Sequence, residues 1–223
     1  DVTTDRAVNF ITDADSPFFL CLAYRAPHKP AHPPARYKSA DVYVPPVPPN
    51  FDEADMSDKP SHMRRRPRLS RKQISWTQSE RLASQRELLA IDDGVQRVVD
   101  PLDDLGELDN TLIIFISDHG FAFGEHRRIS KQCPYDECSR VPLLMRFPGQ
   151  LGNRQEDHVV SNVDLAATIA EYAGVKPYIP QDGRSLMPLL TNTVVNWEDA
   201  ILIGQPRYAD AQYTVRVPGW AST

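Results

Sequence analysis

The chain has 223 residues, of which 41% are hydrophobic and 25% charged, values typical of one sizeable folded domain. Lysine and arginine total 25 against 30 aspartate and glutamate residues, and the resulting net charge of −5 argues against a nucleic-acid-binding protein. Because no apolar run approaches the roughly 18 residues that a membrane-spanning helix needs, we expect neither a nucleic-acid partner nor a membrane span.

The N-terminal part of the chain predicts a helix followed by a strand. Apolar residues at helical spacing predict a short helix over residues 4–11. The continuous apolar run 17–24 predicts a strand buried on both faces of a parallel sheet. This strand leads into the sequence Ala-Pro-His-Lys-Pro, in which the histidine is His28.

A proline-rich segment, residues 27–67, holds ten of the 20 prolines. Proline removes a backbone donor and fixes φ, so this segment predicts no regular helix or strand. We expect it to follow an ordered path across the surface near the functional site, anchored by five apolar side chains: Val42, Tyr43, Val44, Phe51 and Met56.

The middle of the chain predicts a helix from Ser79 to about Leu105. Its apolar stripe follows a three-four spacing, with the members Leu88, Ile91, Val95, Val98, Leu102 and Leu105. Pro101 interrupts this pattern, so the helix either kinks there or restarts with Asp100 as the cap of a fresh turn. Gly106 is expected to end the helix.

The remaining elements alternate between strand and helix. Apolar runs predict buried strands over residues 111–117 and 141–147 and weaker strands over residues 200–203 and 213–217. Residues 161–173 predict a helix with Ser161 as its N-terminal cap. The whole pattern predicts an α/β fold with a mostly parallel sheet sandwiched by helices.

Polar side chains of the ligand type follow the two clearest strands. In open α/β sheets ligands bind beyond the carboxyl ends of the strands, so we expect His28, Asp118 and His119 at one edge of the sheet. Asp118 and His119 suit a divalent cation because the glycine that follows them allows a sharp turn. Lys131 could neutralise an anion beside that cation. The alternatives are an ordinary turn with a capping aspartate, two solvated histidines and a surface lysine.

Two further features of the sequence have open interpretations. The basic run 64–72 could bind a polyanion, or it could be a solvated surface paired with nearby acidic residues, namely Asp52, Glu53, Asp55 and Asp58. The three cysteines, Cys21, Cys133 and Cys138, are odd in number and lack metal-type spacing, so we expect no disulfide framework.

Taken together, five segments in unchanged order resemble the sulfatase family of the alkaline-phosphatase superfamily. They are the strand and Ala-Pro-His-x-Pro turn of residues 17–30, the strand and Asp-His-Gly of residues 108–120, the Gly-Glu-His-Arg of residues 124–127 with Lys131 after it, residues 134–149, and residues 182–190. In addition, the sequence Asp-Met-Ser-Asp-Lys-Pro of residues 55–60 resembles sulfatases that act on N-acetylglucosamine 6-sulfate and related arylsulfatases.

This resemblance implies roles for the candidate residues. Asp118 and His119 would be two ligands of a divalent cation, usually Ca²⁺ in this family. His28 and Lys131 would contact the sulfate group and stabilise the charge that develops as the ester bond breaks. The fold would be alkaline-phosphatase-like and incomplete on its N-terminal side.

The chain departs from the family pattern at the nucleophile. That nucleophile is a formylglycine made from the first residue of a Cys/Ser-x-Pro-x-Arg motif, and no such motif occurs here. The family's paired N-terminal aspartate ligands and its first strand are missing too. We therefore expect residues 1–190 to be the later part of a catalytic domain, residues 191–223 to begin the C-terminal segment, and the chain alone to be inactive.

The function implied by the resemblance is hydrolysis of sulfate esters, with a small sulfate ester or a sulfated glycan as the partner. Two alternatives stay open. One is a phosphoester or phosphonate hydrolase of the same superfamily, and the other is a non-catalytic module that binds a polyanion through the basic run 64–72. The sequence indicates neither a cellular compartment nor an oligomeric state.

Overall fold

The computed structural model describes residues 2–15, 17–149, 153–193, 196–205 and 212–217. They belong to two compact units, one formed by residues 1–111 and 122–130 and the other by residues 112–121 and 131–223. In the described segments, no helix combines the length and the apolar character that crossing a membrane requires. The domain boundary that the sequence suggests at residue 190 stays a prediction.

The secondary structure consists of six helices and six strands in the described segments. The helices are α1 (Val2–Asp13), α2 (Ser61–Arg64), α3 (Arg71–Asp104), α4 (Asp136–Ser139), α5 (Asp164–Tyr172) and α6 (Met187–Leu190). The strands are β1 (Ile113–Ile116), β2 (Ala122–Phe123), β3 (Ile129–Ser130), β4 (Leu143–Arg146), β5 (Ile201–Gln205) and β6 (Gln212–Arg216). Short 3₁₀ turns lie at Ala35–Tyr37 and Leu108–Asn110.

The first unit is built on the packing of α1 against α3. The predicted N-terminal helix is present, and it buries Thr4, Ala7 and Ile11. Helix α3 begins earlier than predicted because Ser70 and Gln73 form a capping box in which each side chain accepts a hydrogen bond from the other residue's backbone N–H. The helix includes Pro101 and ends before Gly106, whose φ of 72° is readily adopted only by glycine.

The buried face of α3 differs from the predicted apolar stripe. Of the predicted stripe only Ile91 and Leu102 are buried, whereas Leu88 and Leu105 are 38% and 51% exposed. The other buried residues of the helix are Thr77, Glu80, Ser84, Glu87 and Gly94. The physical reason is that α3 packs against irregular backbone, whose N–H groups need acceptors. Glu80 Oε1 accepts from Ala31 N at 2.7 Å, and Glu87 Oε1 accepts from His32 N at 2.6 Å.

The prediction of a buried strand over residues 17–24 is wrong for this structure. The segment is extended but forms no ladder with any described residue, and Phe19 is 71% exposed. A strand exists only with a hydrogen-bonded neighbour, and an apolar pattern cannot supply one. Side chains hold the segment in place: Phe18 packs edge-to-face on Phe10, and the Tyr24 hydroxyl bonds Thr4 Oγ1 at 3.1 Å.

The proline-rich segment contains the single helical turn α2, which corrects the expectation of no regular helix there, and two of the five proposed anchors have clear contacts. Met56 is 5% exposed, and Phe51 forms an isolated bridge with Glu125 beside Gly124. A Cβ at Gly124 would collide with the ring of Phe51, so only glycine allows this packing. Tyr43 is 76% exposed and anchors nothing.

The strands confirm a mixed α/β architecture but not the predicted parallel pairing. Strand β1 pairs with β4, β2 with β3, and β5 with β6, and each of these pairs among the described residues is antiparallel. Two parallel strands must be joined by a crossover connection, which is usually a helix. The connection from β1 to β4 contains the short strands β2 and β3 and, as its helix, only the single turn of α4, so no such crossover joins these two strands.

Helix α5 organises the C-terminal side of the second unit. It begins at Asp164 rather than at Ser161, and the hydroxyl of Ser161 does not cap it. The backbone N–H of Ser161 instead donates to Asp164 Oδ2 at 2.8 Å. Asp164 Oδ1 also accepts from Arg184 N, and Thr168 Oγ1 accepts from Leu186 N, both at 2.8 Å. These bonds fix the segment that precedes α6 onto α5.

Candidate functional site

The turn after β1 places Asp118 and His119 side by side in the second unit. Asp118 Oδ1 accepts from His119 N at 3.0 Å, and Asp118 Oδ2 lies 3.3 Å from His119 Nε2. The aspartate side chain is 84% exposed and that of the histidine 33%. The sharp turn depends on Gly120, because a Cβ there would collide with the carbonyl oxygen of Glu137.

The geometry of this pair suits a shared cation. His119 Nδ1 lies 2.9 Å from the carbonyl oxygen of Gly120, which can only accept, so the neutral ring carries its hydrogen on Nδ1 and leaves the lone pair of Nε2 for a metal. Two ligand atoms at right angles around Ca²⁺ are about 3.3–3.7 Å apart. The separation of Asp118 Oδ2 and His119 Nε2 falls at the lower end of that range.

The pair alone is an incomplete metal site. No group of three or more histidine, cysteine, aspartate or glutamate side chains in the described segments is arranged to hold a metal ion. Ca²⁺ takes six to eight oxygen-rich ligands, so Asp118 and His119 fit as two members of a larger set.

Lys131 lies two residues before a covalently closed loop that is attached to the same turn. Cys133 and Cys138 form the disulfide that closes this loop, which corrects the expectation of no disulfide framework. The sequence did not suggest this bond, because an odd number of cysteines gives no pairing. Gly120 N donates to the carbonyl of Cys138 at 2.9 Å and so joins the loop to the Asp118–His119 turn. The side chain of Lys131 is exposed, and no described residue bonds its ammonium group.

His28 lies in the first unit, on the turn that α3 holds. Its backbone N–H donates to the carbonyl of Arg25 at 2.8 Å, and its Nδ1 lies 2.8 Å from the carbonyl of Lys29. The carboxylates of Glu80 and Glu87 fix the residues that follow. The ring is therefore oriented by its Nδ1, and the residue is exposed.

The structure thus brings together part of the predicted site. Asp118 and His119 are in direct contact, and the disulfide loop that begins two residues after Lys131 bonds to their turn through Cys138. His28 belongs to the other compact unit. Convergence of all four side chains on one small anion stays a prediction.

Sequence reasoning missed a buried polar cluster in the first unit. His126 is 1% exposed, and its Nδ1 lies 2.8 Å from Glu53 Oε2 while its Nε2 lies 3.2 Å from Asn50 Nδ2. His126 and Arg127 both have positive φ, 51° and 55°. Two consecutive non-glycine residues in the left-handed region mark a strained turn of the kind that occurs at functional sites. The only signal in the sequence was the Gly-Glu-His-Arg segment.

Comparison with known proteins places these features in a family. The family model described as Sulfatase matches residues 1–175. The chain is 35% identical over 193 residues, or 84% of its length, to the extracellular sulfatase SULF-1 homolog of Drosophila melanogaster. It is 38% identical over 134 residues, or 57% of its length, to the N-acetylglucosamine-6-O-sulfatase of Bacteroides thetaiotaomicron.

A solved structure agrees with the sequence relatives. The protein BT4656, in complex with its substrate D-glucosamine-2-N,6-O-disulfate, matches with a TM-score of 0.73 and 26% identity over 97% of this chain. The chain spans 58% of that solved chain, and 17% and 24% of the lengths of the Drosophila and Bacteroides relatives. The predicted alkaline-phosphatase-like fold is thereby confirmed, and the chain belongs to the sulfatase family.

Proposed function

We propose that this chain is part of an enzyme that hydrolyses sulfate esters of amino sugars. The observation that carries the proposal is the Asp118–His119 pair, whose donor atoms are 3.3 Å apart at the end of β1 in a chain of the sulfatase family. The amino-sugar substrate is supported by two relatives, the N-acetylglucosamine-6-O-sulfatase and the protein solved with D-glucosamine-2-N,6-O-disulfate.

The metal part of the proposal assigns Asp118 and His119 as two ligands of a divalent cation, with Ca²⁺ as the preferred ion. When bound, such a cation supplies positive charge that offsets the negative oxygens of a sulfate ester. The carboxylate of Asp118 neutralises part of the cation's charge. The carbonyl of Gly120 holds the ring of His119 so that Nε2 lies beside Asp118 Oδ2.

Lys131 and His28 act on the sulfate itself in this proposal. The exposed ammonium group of Lys131 donates to a sulfate oxygen and stabilises the charge that grows there in the transition state. The ring of His28 is held at Nδ1 by the carbonyl of Lys29, so a protonated His28 presents its second hydrogen at Nε2. From that atom it donates to the ester oxygen that leaves. The nucleophile is a formylglycine outside this chain.

The test is an assay of a protein that joins this chain to its formylglycine-bearing segment. We expect hydrolysis of N-acetylglucosamine 6-sulfate that is lost in a chelator and restored by Ca²⁺. Lys131→Ala lowers kcat by about 10²–10³, the usual effect of removing one group that stabilises transition-state charge. Lys176→Ala, which changes another lysine of the second unit, is the matched control and leaves kcat unchanged.

Two results would contradict the proposed function. A protein that hydrolyses phosphate monoesters or phosphonates faster than sulfate esters contradicts the proposal and favours the phosphoester or phosphonate alternative. Turnover by this chain alone, with contaminating enzyme excluded, contradicts the assignment of the nucleophile to another segment.

A further inference from the structure

The basic run 64–72 forms one wall of a cavity in the first unit. The cavity has a volume of about 350 Å³, within the usual size range of small-molecule sites. Four arginines line it, namely Arg65, Arg66, Arg68 and Arg127, together with His62 and Gln73. We call this cavity the arginine pocket.

Three of the four arginines have no carboxylate partner among the described residues. Arg68 alone is paired, with its Nε 2.8 Å from Asp52 Oδ2. Arg66 donates from Nε to the carbonyl of Arg127, and the side chain of Arg65 has no hydrogen-bond partner in the described part of the chain. The positive charge of the arginine pocket is therefore not cancelled from within.

The acidic residues that could have paired with the basic run are engaged elsewhere. Glu53 contacts His126 at 2.8 Å and Lys59 at 3.6 Å, and Asp58 contacts Lys59 at 2.6 Å. Asp55 accepts a hydrogen bond from the backbone N–H of Ser57. The expectation that the basic run is balanced by these residues therefore holds only for Asp52.

Arg127 is fixed in place before any ligand arrives. Its guanidinium donates to three carbonyl oxygens, those of Glu53, Ala54 and Arg66, at 2.7–3.0 Å. Carbonyl oxygens orient a guanidinium without neutralising its charge. The backbone of Arg127 has a φ of 55°, a strained conformation for a non-glycine residue that these bonds help to maintain.

We propose that the arginine pocket binds a sulfate group on a sugar residue of a sulfated glycan. Guanidinium groups present paired N–H donors whose geometry matches the oxygens of such an anion, and the cavity has room for more than the anion alone. The requirement for an anion follows from the arginines, and the choice of a sulfated sugar rests on the proposed function. The pocket supplies affinity for the glycan and takes no part in ester hydrolysis.

The test is calorimetric titration of the full chain with a sulfated glucosamine oligosaccharide, its desulfated counterpart and sodium sulfate. We expect the sulfated oligosaccharide to bind, and sodium sulfate to bind at least tenfold more weakly. Arg65→Gln weakens binding of the sulfated oligosaccharide by about tenfold, which is the effect of losing one charge-assisted hydrogen bond. The fold is not at risk because the Arg65 side chain bonds no described residue.

Arg64→Gln is the matched control, because Arg64 belongs to the same basic run and is exposed but does not line the cavity. It changes the net charge by the same amount and leaves affinity within about twofold, since only general attraction is lost. If Arg64→Gln and Arg65→Gln lose the same affinity, the oligosaccharide is held by diffuse electrostatic attraction, and the proposed binding in the arginine pocket is wrong. Equal binding of the desulfated oligosaccharide, or of sodium sulfate, overturns the sulfated sugar as its ligand.

The outcomes separate this inference from the proposed function. Hydrolysis of a sulfate ester together with oligosaccharide affinity that is the same in the wild type and Arg65→Gln overturns the arginine pocket and leaves the proposed function intact. Binding that depends on Arg65 without hydrolysis, once the nucleophile segment is present, supports the pocket and overturns the proposed function.

Discussion

Asp93 shows how single residues tie the proline-rich segment to α3. Its carboxylate accepts from the Tyr37 hydroxyl at 2.7 and 2.8 Å and lies 2.9 Å from Arg36 Nη2. The Tyr37 hydroxyl first, and then the Arg36 guanidinium, hold the pKa of Asp93 below its ordinary 3.8, since both interactions favour the ionised form. The hydrogen bonds from Tyr37 and the ion pair with Arg36 thus hold the 3₁₀ turn Ala35–Tyr37 against α3.

This contact predicts a pH-dependent stability. Because the pKa of Asp93 is lower in the folded state, its stabilising contribution is complete above the unfolded value of 3.8 and is lost as the pH falls through the folded value. Asp93→Asn is therefore less stable than the wild type at pH 7, and the difference shrinks below pH 3.8. Urea denaturation of both proteins at a series of pH values measures this difference in the free energy of unfolding.

Asp92→Asn is the control for this prediction. Asp92 is the neighbouring residue on α3, is exposed and bonds no described residue. We expect its variant to follow the wild type at every pH. A difference between Asp93→Asn and the wild type that is constant from pH 7 to pH 2 would contradict the assigned role of the Asp93 carboxylate.

Among the helices, α3 carries the strongest link to the candidate site. Glu80 is 7% exposed, and its carboxylate is the acceptor for the backbone of Ala31, three residues after His28. Glu80→Ala leaves a buried N–H group without an acceptor, and we expect it to lower the free energy of unfolding by about 1–3 kcal/mol. Chemical denaturation gives this value directly.

A conservative variant sharpens this prediction. Glu80→Gln keeps an oxygen acceptor at the same position, so we expect a smaller loss than in Glu80→Ala. Gln78→Ala, at an exposed position of α3, should stay within about 0.5 kcal/mol of the wild type. Equal losses in the alanine and glutamine variants of Glu80 would show that the Ala31 hydrogen bond is not what the carboxylate provides.

Elements defined by apolar residues could be predicted from the sequence, whereas elements defined by hydrogen bonds between distant residues could not. Strands β1 and β4 and helices α1 and α5 were predicted from their apolar residues. The burial expected of the two strands is not found, because Phe115 and Leu144 are 36% and 61% exposed, and α5 buries Asp164 and Thr168 rather than its apolar stripe. The buried face of α3 was not predicted, since Glu80 and Glu87 are buried to satisfy backbone donors, and hydrophobic periodicity does not register acceptors.

The candidate site shows the same division. The contact between Asp118 and His119 could be predicted because adjacent ligand-type residues follow an apolar strand and precede a glycine, all of which the sequence displays. Their role as metal ligands stays a prediction. The disulfide between Cys133 and Cys138 is local, but it depends on how the backbone between them turns. The burial of His126 depends on contacts with the distant residues Asn50 and Glu53. No local pattern encodes those contacts.

For the whole molecule, the exposed apolar run 17–24 governs behaviour in solution. Phe19 is 71% exposed, and Phe10 and Phe18 beside it are 45% and 38% exposed. Contiguous exposed apolar surface favours self-association. We therefore expect concentration-dependent association of the chain, and Phe19→Ser should reduce it while leaving the thermal unfolding midpoint within about 2 °C.

Tyr178→Ser is the matched control for this effect, because Tyr178 is fully exposed but lies in the other compact unit. Sedimentation velocity over a range of concentrations measures association for all three proteins. A sedimentation profile that is independent of concentration in the wild type, or a Phe19→Ser profile identical to it, would contradict the role given to the run.

The two carboxylates of α3 that hold the His28 turn also restrict how the helix can vary. Glu80 and Glu87 are seven residues apart, which is close to two full helical turns, so both project from the same side. Inserting or deleting a single residue between them would rotate one carboxylate by about 100° around the helix axis. Point substitutions can therefore accumulate between positions 80 and 87, whereas a change in length there would release the turn.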